Sequence, residues 1–348
     1  MSELIRSYFD VYGLESLTEK INQIPNVWAT ISNMGVFASS PEGVITDSVA
    51  VDILEYNTPM IKDMVRGLRP QYGKDNKRSK KSFAIPHYPI DDTLTAKDIK
   101  NRVGFGKEAA PDTIAEAVMR KMETLRRGHA QLRETQRAQL LVDGTVYAPN
   151  GTMSLNFYTE FGITRKEIDF VLGTATTDVK GKGEEGIAHI TDNLLNGTDT
   201  ITGFVAFCSP TFFSRYTSHA KVTAAYQNFA SSAGDRLLRD RLSSNLPMHT
   251  RVFDNNGIIF VEMRDRLPDG TLLITDGEAR LVPIGAFDVF RSYAAPSEKM
   301  GDIGTLGKEL YAYQYMMPKD EGIEIQTESN VLNVLARPQC VVRLYSSN

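Results

Sequence analysis

Cysteine is scarce in this sequence: Cys208 and Cys340 are the only two, each inside an apolar run, VAFCSP or PQCVVRL. With no CxxC pair and no Cys/His cluster, a zinc ribbon or a disulfide framework is excluded, and both thiols read as small buried hydrophobes of a reducing compartment. No run reaches the ~18 apolar residues of a membrane helix, and the start, MSELIRSYFDVYG, lacks the charged and apolar regions of a signal peptide. A strong charge of either sign is also missing. Lys and Arg number 39 against 43 Asp and Glu, a net charge of -4, so the chain as a whole has no attraction for a polyanion. The catalytic vocabulary is equally thin: GxSxG, HExxH and a complete GxxxxGK[ST] are all absent, and His87, His129, His189, His219 and His249 are scattered. No catalytic residue, cofactor or metal is expected. What remains is ordinary globular composition, 41% hydrophobic and 24% charged over 348 residues.

The organisation along the chain says more than any motif. Residues 1–45 mix short apolar clusters with turn residues at Pro25, Gly35, Pro41 and Gly43 and read as an extended arm with little core of its own. DSVAVDILEYN from Asp47 and KSFAIPHYPIDDTL from Lys81 are two strand-like stretches, which together suggest a long hairpin-like loop. Met60, Ile61, Met64, Val65 and Leu68 have helical spacing inside it. Its tip, GKDNKRSKK, carries Lys74, Lys77, Arg78, Lys80 and Lys81 against the single anion Asp75. Such a patch suits a solvated loop, an acidic partner surface or phosphate, and the absence of interleaved aromatics weighs against DNA.

From Pro111 to about Val142 the spacing predicts a long helix. Thr113 and Glu116 have capping-box spacing, and Ile114, Val118, Met122, Leu125, His129, Leu132, Gln136 and Leu140 recur in steps of three and four. At ~1.5 Å per residue such a rod spans roughly 45 Å and needs a partner along its length. His129 falls on the stripe as a packing residue, and Gly144 is a natural stop. GTVYAPNGTMSLNFY predicts a strand pair, Glu184 to Leu195 a short helix, ITGFVAFCSP a buried strand and TFFSRYTSHAKVTAAYQNF a helix. A meander punctuated by Asn256-Gly257, Pro268-Asp269-Gly270 and Asp276-Gly277 follows, and two further strands end the chain. GFGKEAAPDT (104–113) and GTLGKEL (304–310) are incomplete phosphate-loop fragments, and GTATTDVKGKGEEG (173–186) reads as an exposed loop. Asp265, Asp269, Asp276 and Glu278 miss calcium-loop spacing and coincide with turns.

An arm, a long loop, a lone long helix and an α+β block whose flanking strands return at the end resemble the Hong Kong 97 capsid fold. The closer similarity is to the phage lambda major head protein family, also called the major capsid protein E family. LTEKINQIPNVW (17–28) resembles the family's arm and AIPHYPIDDTLTAKDI (84–99) the stretch before its spine helix. ITGFVAFCSPTFFSRYTSH (201–219) is similar to the strand-Pro-helix entry to the axial domain, and ESNVLNVLARPQCVVRLYS (328–346) to the terminal strand pair. The excursion at 60–81 looks longer and more basic than the family's.

The resemblance implies the head protein of a tailed double-stranded DNA bacteriophage, a structural virion component that forms hexamers and pentamers of an icosahedral shell. It divides the chain into an arm (1–45), an extended loop (46–93), a peripheral domain (94–196), an axial domain (197–320) and C-terminal strands (321–348) returning to the peripheral domain. Neighbouring subunits would be contacted by Ile24, Pro25, Val27 and Trp28 of the arm and by Lys74, Lys77, Arg78, Lys80 and Lys81 of the loop tip. Ile114, Val118, Met122, Leu125 and Leu132 would pack the spine helix. Assembly in the host cytoplasm with a scaffolding protein and a portal, a decoration protein, and only non-specific contact with packaged DNA complete the implied picture. A soluble α+β enzyme with a pocket assembled from distant residues, and a decoration or tail-tube protein, are the alternatives.

Overall fold

A computed structural model of the chain describes residues 18, 21–23, 30–54, 78–100, 111–147, 153–194, 201–225, 250–266, 270–286 and 288–348. Residues 21–23 are helical, and helix α1 (Thr30–Asn33) is followed by strand β1 (Glu42–Gly43) and the antiparallel hairpin of β2 (Ser48–Leu54) and β3 (Arg78–Ala84). Strand β4 (Tyr88–Thr95) and helix α2 (Ala96–Lys100) precede the long helix α3 (Pro111–Asp143). Then come β5 (Thr145–Tyr147), β6 (Met153–Asn156), α4 (Phe157–Phe161), β7 (Glu167–Asp169) and α5 (Val179–Asn193). The next block is β8 (Gly203–Cys208), α6 (Pro210–Ser218), β9 (Val252–Asn255), β10 (Ile258–Glu262) and β11 (Glu278–Ile284). The last strands are β12 (Phe290–Ala294), β13 (Tyr311–Met316), β14 (Gly322–Ser329), β15 (Val331–Leu335) and β16 (Val342–Tyr345). Among the described residues no helix is long and apolar enough to cross a membrane.

Helix α3 runs for 33 residues, ~50 Å at the usual rise. Pro111 takes the first helical position, where its missing N–H is no loss. Thr113 is therefore the third helical residue and not the cap its spacing suggested. The helix stops where Gly144 turns to φ +63° and its N–H reaches the Leu140 carbonyl at 2.9 Å. A Cβ at Gly144 would also lie 2.5 Å from the Tyr158 ring, so the position excludes side chains twice over.

The amino-terminal part of α3 buries Ile114, Val118, Met122 and Leu125 against Leu94, Ala312, Ile323 and Ile325 of the sheet β13-β14-β4, with Leu310 just before β13 and Ile21 in the same cluster. Beyond Ala130 the buried face runs through Glu134, Arg137, Ala138 and Leu141, while Leu132 and Gln136 are half-buried. The apolar stripe expected to continue through Leu132 thus gives way to a pair of buried charges.

The main core surrounds a six-stranded sheet in the order β7-β16-β11-β8-β10-β9. Its central strands are buried on both faces: Val205, Ala206, Phe207 and Cys208 are all fully enclosed, as are Ala279, Leu281 and Val282. Double-sided burial explains why ITGFVAFCSP reads as a continuous apolar run and not an alternation. Ser209 caps α6 by accepting from the Phe212 N–H, and Phe212, Phe213 and Tyr216 face inward, with the Tyr216 ring 4.1 Å from that of Phe260. The helix ends at Ser218 because His219 turns to extended backbone and buries its ring, Nε2 3.0 Å from the Thr174 carbonyl.

Two expectations change. Helix α5 begins at Val179, not Glu184, so part of the Gly-rich stretch read as a loop is helical. The physical reason is close packing: a Cβ on Gly186 would lie 2.7 Å from Leu281 Cδ2, so glycine lets the helix sit down on the sheet. The chain also ends in three strands, β14, β15 and β16, instead of two. They part company: β14 pairs with β4 beside α3, β15 pairs with β12, and β16 inserts between β11 and β7 of the six-stranded sheet. Strands β12 and β13 complete the small sheets β1-β12-β15 and β13-β14-β4.

Candidate functional site: assembly surfaces and their anchorage

The hairpin β2–β3 forms a seven-pair ladder from Ser48↔Ala84 to Leu54↔Arg78. At its root Val49 and Phe83 face each other across the strands, both buried, and the Phe83 ring meets Phe157 edge-on at 5.6 Å. Ile85 N–H donates to the Asp47 carbonyl at 2.9 Å. Lys81 is engaged within its own chain: its ammonium pairs with the Glu160 carboxylate at 2.9 Å, also reaches the Glu160 carbonyl, and lies over the Phe161 ring. That places Lys81 at the root of the loop, not at a free basic tip. Arg78 and Lys80 have backbone positions in β3, paired with Leu54 and Asp52. Lys74 and Lys77 lie outside the described residues, as do Met60 to Leu68 and the arm residues Ile24, Pro25, Val27 and Trp28.

The described parts of the arm, which has little core of its own, are seated on the body of the chain. Thr18 Oγ1 donates to the Ala312 carbonyl at 3.0 Å, Asn22 Nδ2 donates to the Leu310 carbonyl at 3.0 Å, and Ile21 is fully buried. Ile31, Val36 and Phe37 are likewise enclosed in the main core. Glu134 of α3 fastens α1 by accepting from the Ile31 N–H and, at 2.7 Å, from the Ser32 hydroxyl. Arg137 donates to Ser32 Oγ at 2.6 Å and lies 4.7 Å over the Phe37 ring. Burial pushes the Glu134 carboxyl up, opposed by those hydrogen bonds and by Arg137. Burial, aided by Arg133, lowers the Arg137 guanidinium to about 10.

One turn earlier, Arg126 and Arg133 share the Glu309 carboxylate, and His129 Nε2 stands 2.9 Å from Thr327 Oγ1. His129 is only 4% exposed, and burial together with Arg133 and Arg126 depresses its pKa to about 4. It is a neutral packing histidine near two cations. At the far end of α3 the Val142 carbonyl accepts from both Arg165 and Arg280, so cations from other elements complement the negative end of the helix dipole. Arg280 continues to Glu278 at 2.7 Å, Glu278 to Arg343, and Arg343 to Glu167 at 2.8 Å, a chain that ties α3, β7, β11 and β16 together. Burial opposes ionisation of Glu278, but Arg343 and Arg280 outweigh it and hold its carboxyl below the usual range. Glu278, one of the acids near the turns, is thus an ion-pair residue, and among the described residues no acidic, His or Cys cluster could hold a metal.

Two core clusters joined along one long helix, a mixed sheet closed by the chain's last strand and a protruding hairpin form an α+β capsid fold of the Hong Kong 97 type. The mature capsid of bacteriophage PhiM1 has a similar fold, with a TM-score of 0.51 at 14% identity, covering 94% of this chain and 90% of that one. The family model for phage major capsid protein E matches residues 13–346, and the chain belongs to that family. It is 36% identical to the major capsid protein of Pseudomonas phage KPP10 over 94% of this chain and 95% of the relative. It is 27% identical to the major capsid protein of Salmonella phage Felix O1, with 95% of each covered. The protein is accordingly a shell-building component of the virion and not an enzyme.

Proposed function

We propose that the chain assembles through heterologous contacts into hexamers and pentamers of an icosahedral shell around double-stranded phage DNA, with the hairpin β2–β3 laid over a neighbouring copy. One observation carries this reading. The hairpin is a two-stranded ladder that pairs with no third strand among the described residues, and its described buried side chains, Val49 and Phe83, lie at its root. A lone two-stranded ribbon is marginal in water and its open edges invite pairing, so contact with an identical subunit would satisfy both needs.

In this reading residues 46–93 are the extended loop, 94–196 with the C-terminal strands of 321–348 build the peripheral domain with α3 as spine, and 197–320 are the axial domain that meets its copies around the capsomer centre. Ile114, Val118, Met122, Leu125 and the half-buried Leu132 hold the spine. Lys74, Lys77, Arg78 and Lys80 face an acidic surface of the neighbour, with Ile24, Pro25, Val27 and Trp28 making the arm's contact. A scaffolding protein and a portal take part during assembly in the host cytoplasm. Packaged DNA is confined by non-specific contact only, in keeping with the net charge of -4.

Gel filtration and negative-stain microscopy of the expressed chain test the proposal. Capsomers, shells or higher aggregates are expected, and replacing Lys74, Lys77, Arg78 and Lys80 by Glu should abolish them while circular dichroism stays unchanged. A monodisperse monomer at high concentration would overturn it.

A further inference from the structure

Among the described residues, four large apolar side chains are more than half exposed, and they gather in one place. Met300 is 86% exposed, Ile303 70%, Leu306 62% and Ile45 57%. The first three belong to the connection between β12 and β13. Ile45 adjoins it, because Gly307 N–H donates to the Val44 carbonyl at 3.0 Å and Val44 N–H to the Ala294 carbonyl at 2.8 Å.

A loose loop would turn such side chains inward, but this one is fastened open from beneath. Ser297 and Tyr313 both donate to the Asp302 carboxylate, the first at 2.5 Å. Lys299 donates to Gln326 Oε1 at 2.8 Å and lies over the Tyr313 and Tyr315 rings. Lys308 N–H donates to the Tyr311 hydroxyl at 3.0 Å, and a Cβ on Gly307 would run into the Ala294 carbonyl. Lys299 and Asp302 are therefore turned down onto the sheet, which leaves an apolar crown with exposed Glu298 at one end and exposed Lys308 at the other.

Resting on the shell reading above, the geometry points to this crown as a contact made with the same loop of a second copy across a rotation axis. Uncharged apolar side chains pack against their own kind without repulsion. An acid and a base at opposite ends of the loop are self-complementary when rotated copies meet, the Glu298 of one facing the Lys308 of the next. A fixed, exposed apolar patch of this kind marks an interaction site more often than an accident of composition.

Cross-linking tests the contact directly, since Cys208 and Cys340 are both buried and an introduced thiol reacts alone. In assembled particles, Ile303→Cys treated with a short bis-maleimide should give covalent oligomers on a denaturing gel, whereas Lys180→Cys, exposed on α5, should not. Ile303→Asp with Leu306→Asp should leave the circular dichroism and unfolding midpoint of the subunit unchanged while lowering particle yield by roughly tenfold or more. Shells that form normally without the cross-link, or that the double Asp variant builds at parental yield, overturn the inference and leave the shell reading standing. If the parent chain forms no oligomer at all, both fall.

Discussion

The six-stranded sheet and the β2–β3 hairpin use the same hydrogen-bonded ladder and differ in what closes it. In the sheet, β8 has β11 on one side and β10 on the other, and α5 and α6 pack against the sheet. The hairpin has two strands, one described anchorage at its root, and an outer edge on each strand that no described strand covers. The first region is complete within one copy and the second is not, so substitutions should affect folding in the first and association in the second. Phe207→Ala is the sharpest break on the folding side. Phe207 is fully buried in the central strand, and removing its ring should cost about 3–5 kcal/mol, a large share of the ~5–15 kcal/mol that holds a typical domain. Urea unfolding of the soluble subunit measures this; a loss below ~1 kcal/mol would show that the sheet is not the foundation of the fold.

How far the sequence reveals this division depends on which physical signal each element carries. Helix α3 was legible because 33 residues repeat one period and begin and end with Pro111 and Gly144. Strand β8 and helix α6 were legible from an apolar run followed by Ser209-Pro210. The start of α5 was not, because Gly181, Gly183 and Gly186 argue for a loop by propensity, and only the sheet beneath shows why small residues are needed there. Glu134 and Arg137 also escaped notice: a charged pair three apart on a helix normally reads as solvated, and nothing in the sequence announces that α1 lies across it. Strand β16 carries no local sign of its partner, since the pairing of Ala279 with Leu344 spans a sequence separation that periodicity cannot reach. The exposed crown at Met300, Ile303 and Leu306 likewise has no periodicity, and its meaning lies in the hydrogen bonds that hold it open.

The middle of α3 lies between the two extremes, enclosed like the sheet but polar. His129 is neutral in the folded chain because burial and the cations Arg133 and Arg126 depress its pKa from 6.5 to about 4. The unfolded chain takes up a proton near pH 6.5 and the folded chain does not until near pH 4. The resulting stability is fully present above ~6.5 and is lost as pH falls toward 4, a difference on the order of 3 kcal/mol. Urea midpoints of the parent should decline across that window, and His129→Gln should flatten the decline while Thr327 keeps a hydrogen-bonding partner. An unchanged slope in the variant would mean that other groups carry the pH dependence.

Lys81 gives the finest discrimination, because it stands where the hairpin leaves the body. Its pair with Glu160 is partly solvated, at 34% and 42% side-chain exposure, so Lys81→Ala should change subunit stability by less than ~1 kcal/mol. The same change removes the contacts that tie β3 to the Glu160 carbonyl and the Phe161 ring and so loosens the angle at which the hairpin projects. If the hairpin's contacts belong to a neighbour, a small stability effect should accompany a clear change in the yield or uniformity of particles seen by microscopy. A variant that matches the parent in both would place Lys81 among ordinary surface ion pairs, and the hairpin's direction would then rest on Val49 and Phe83 alone.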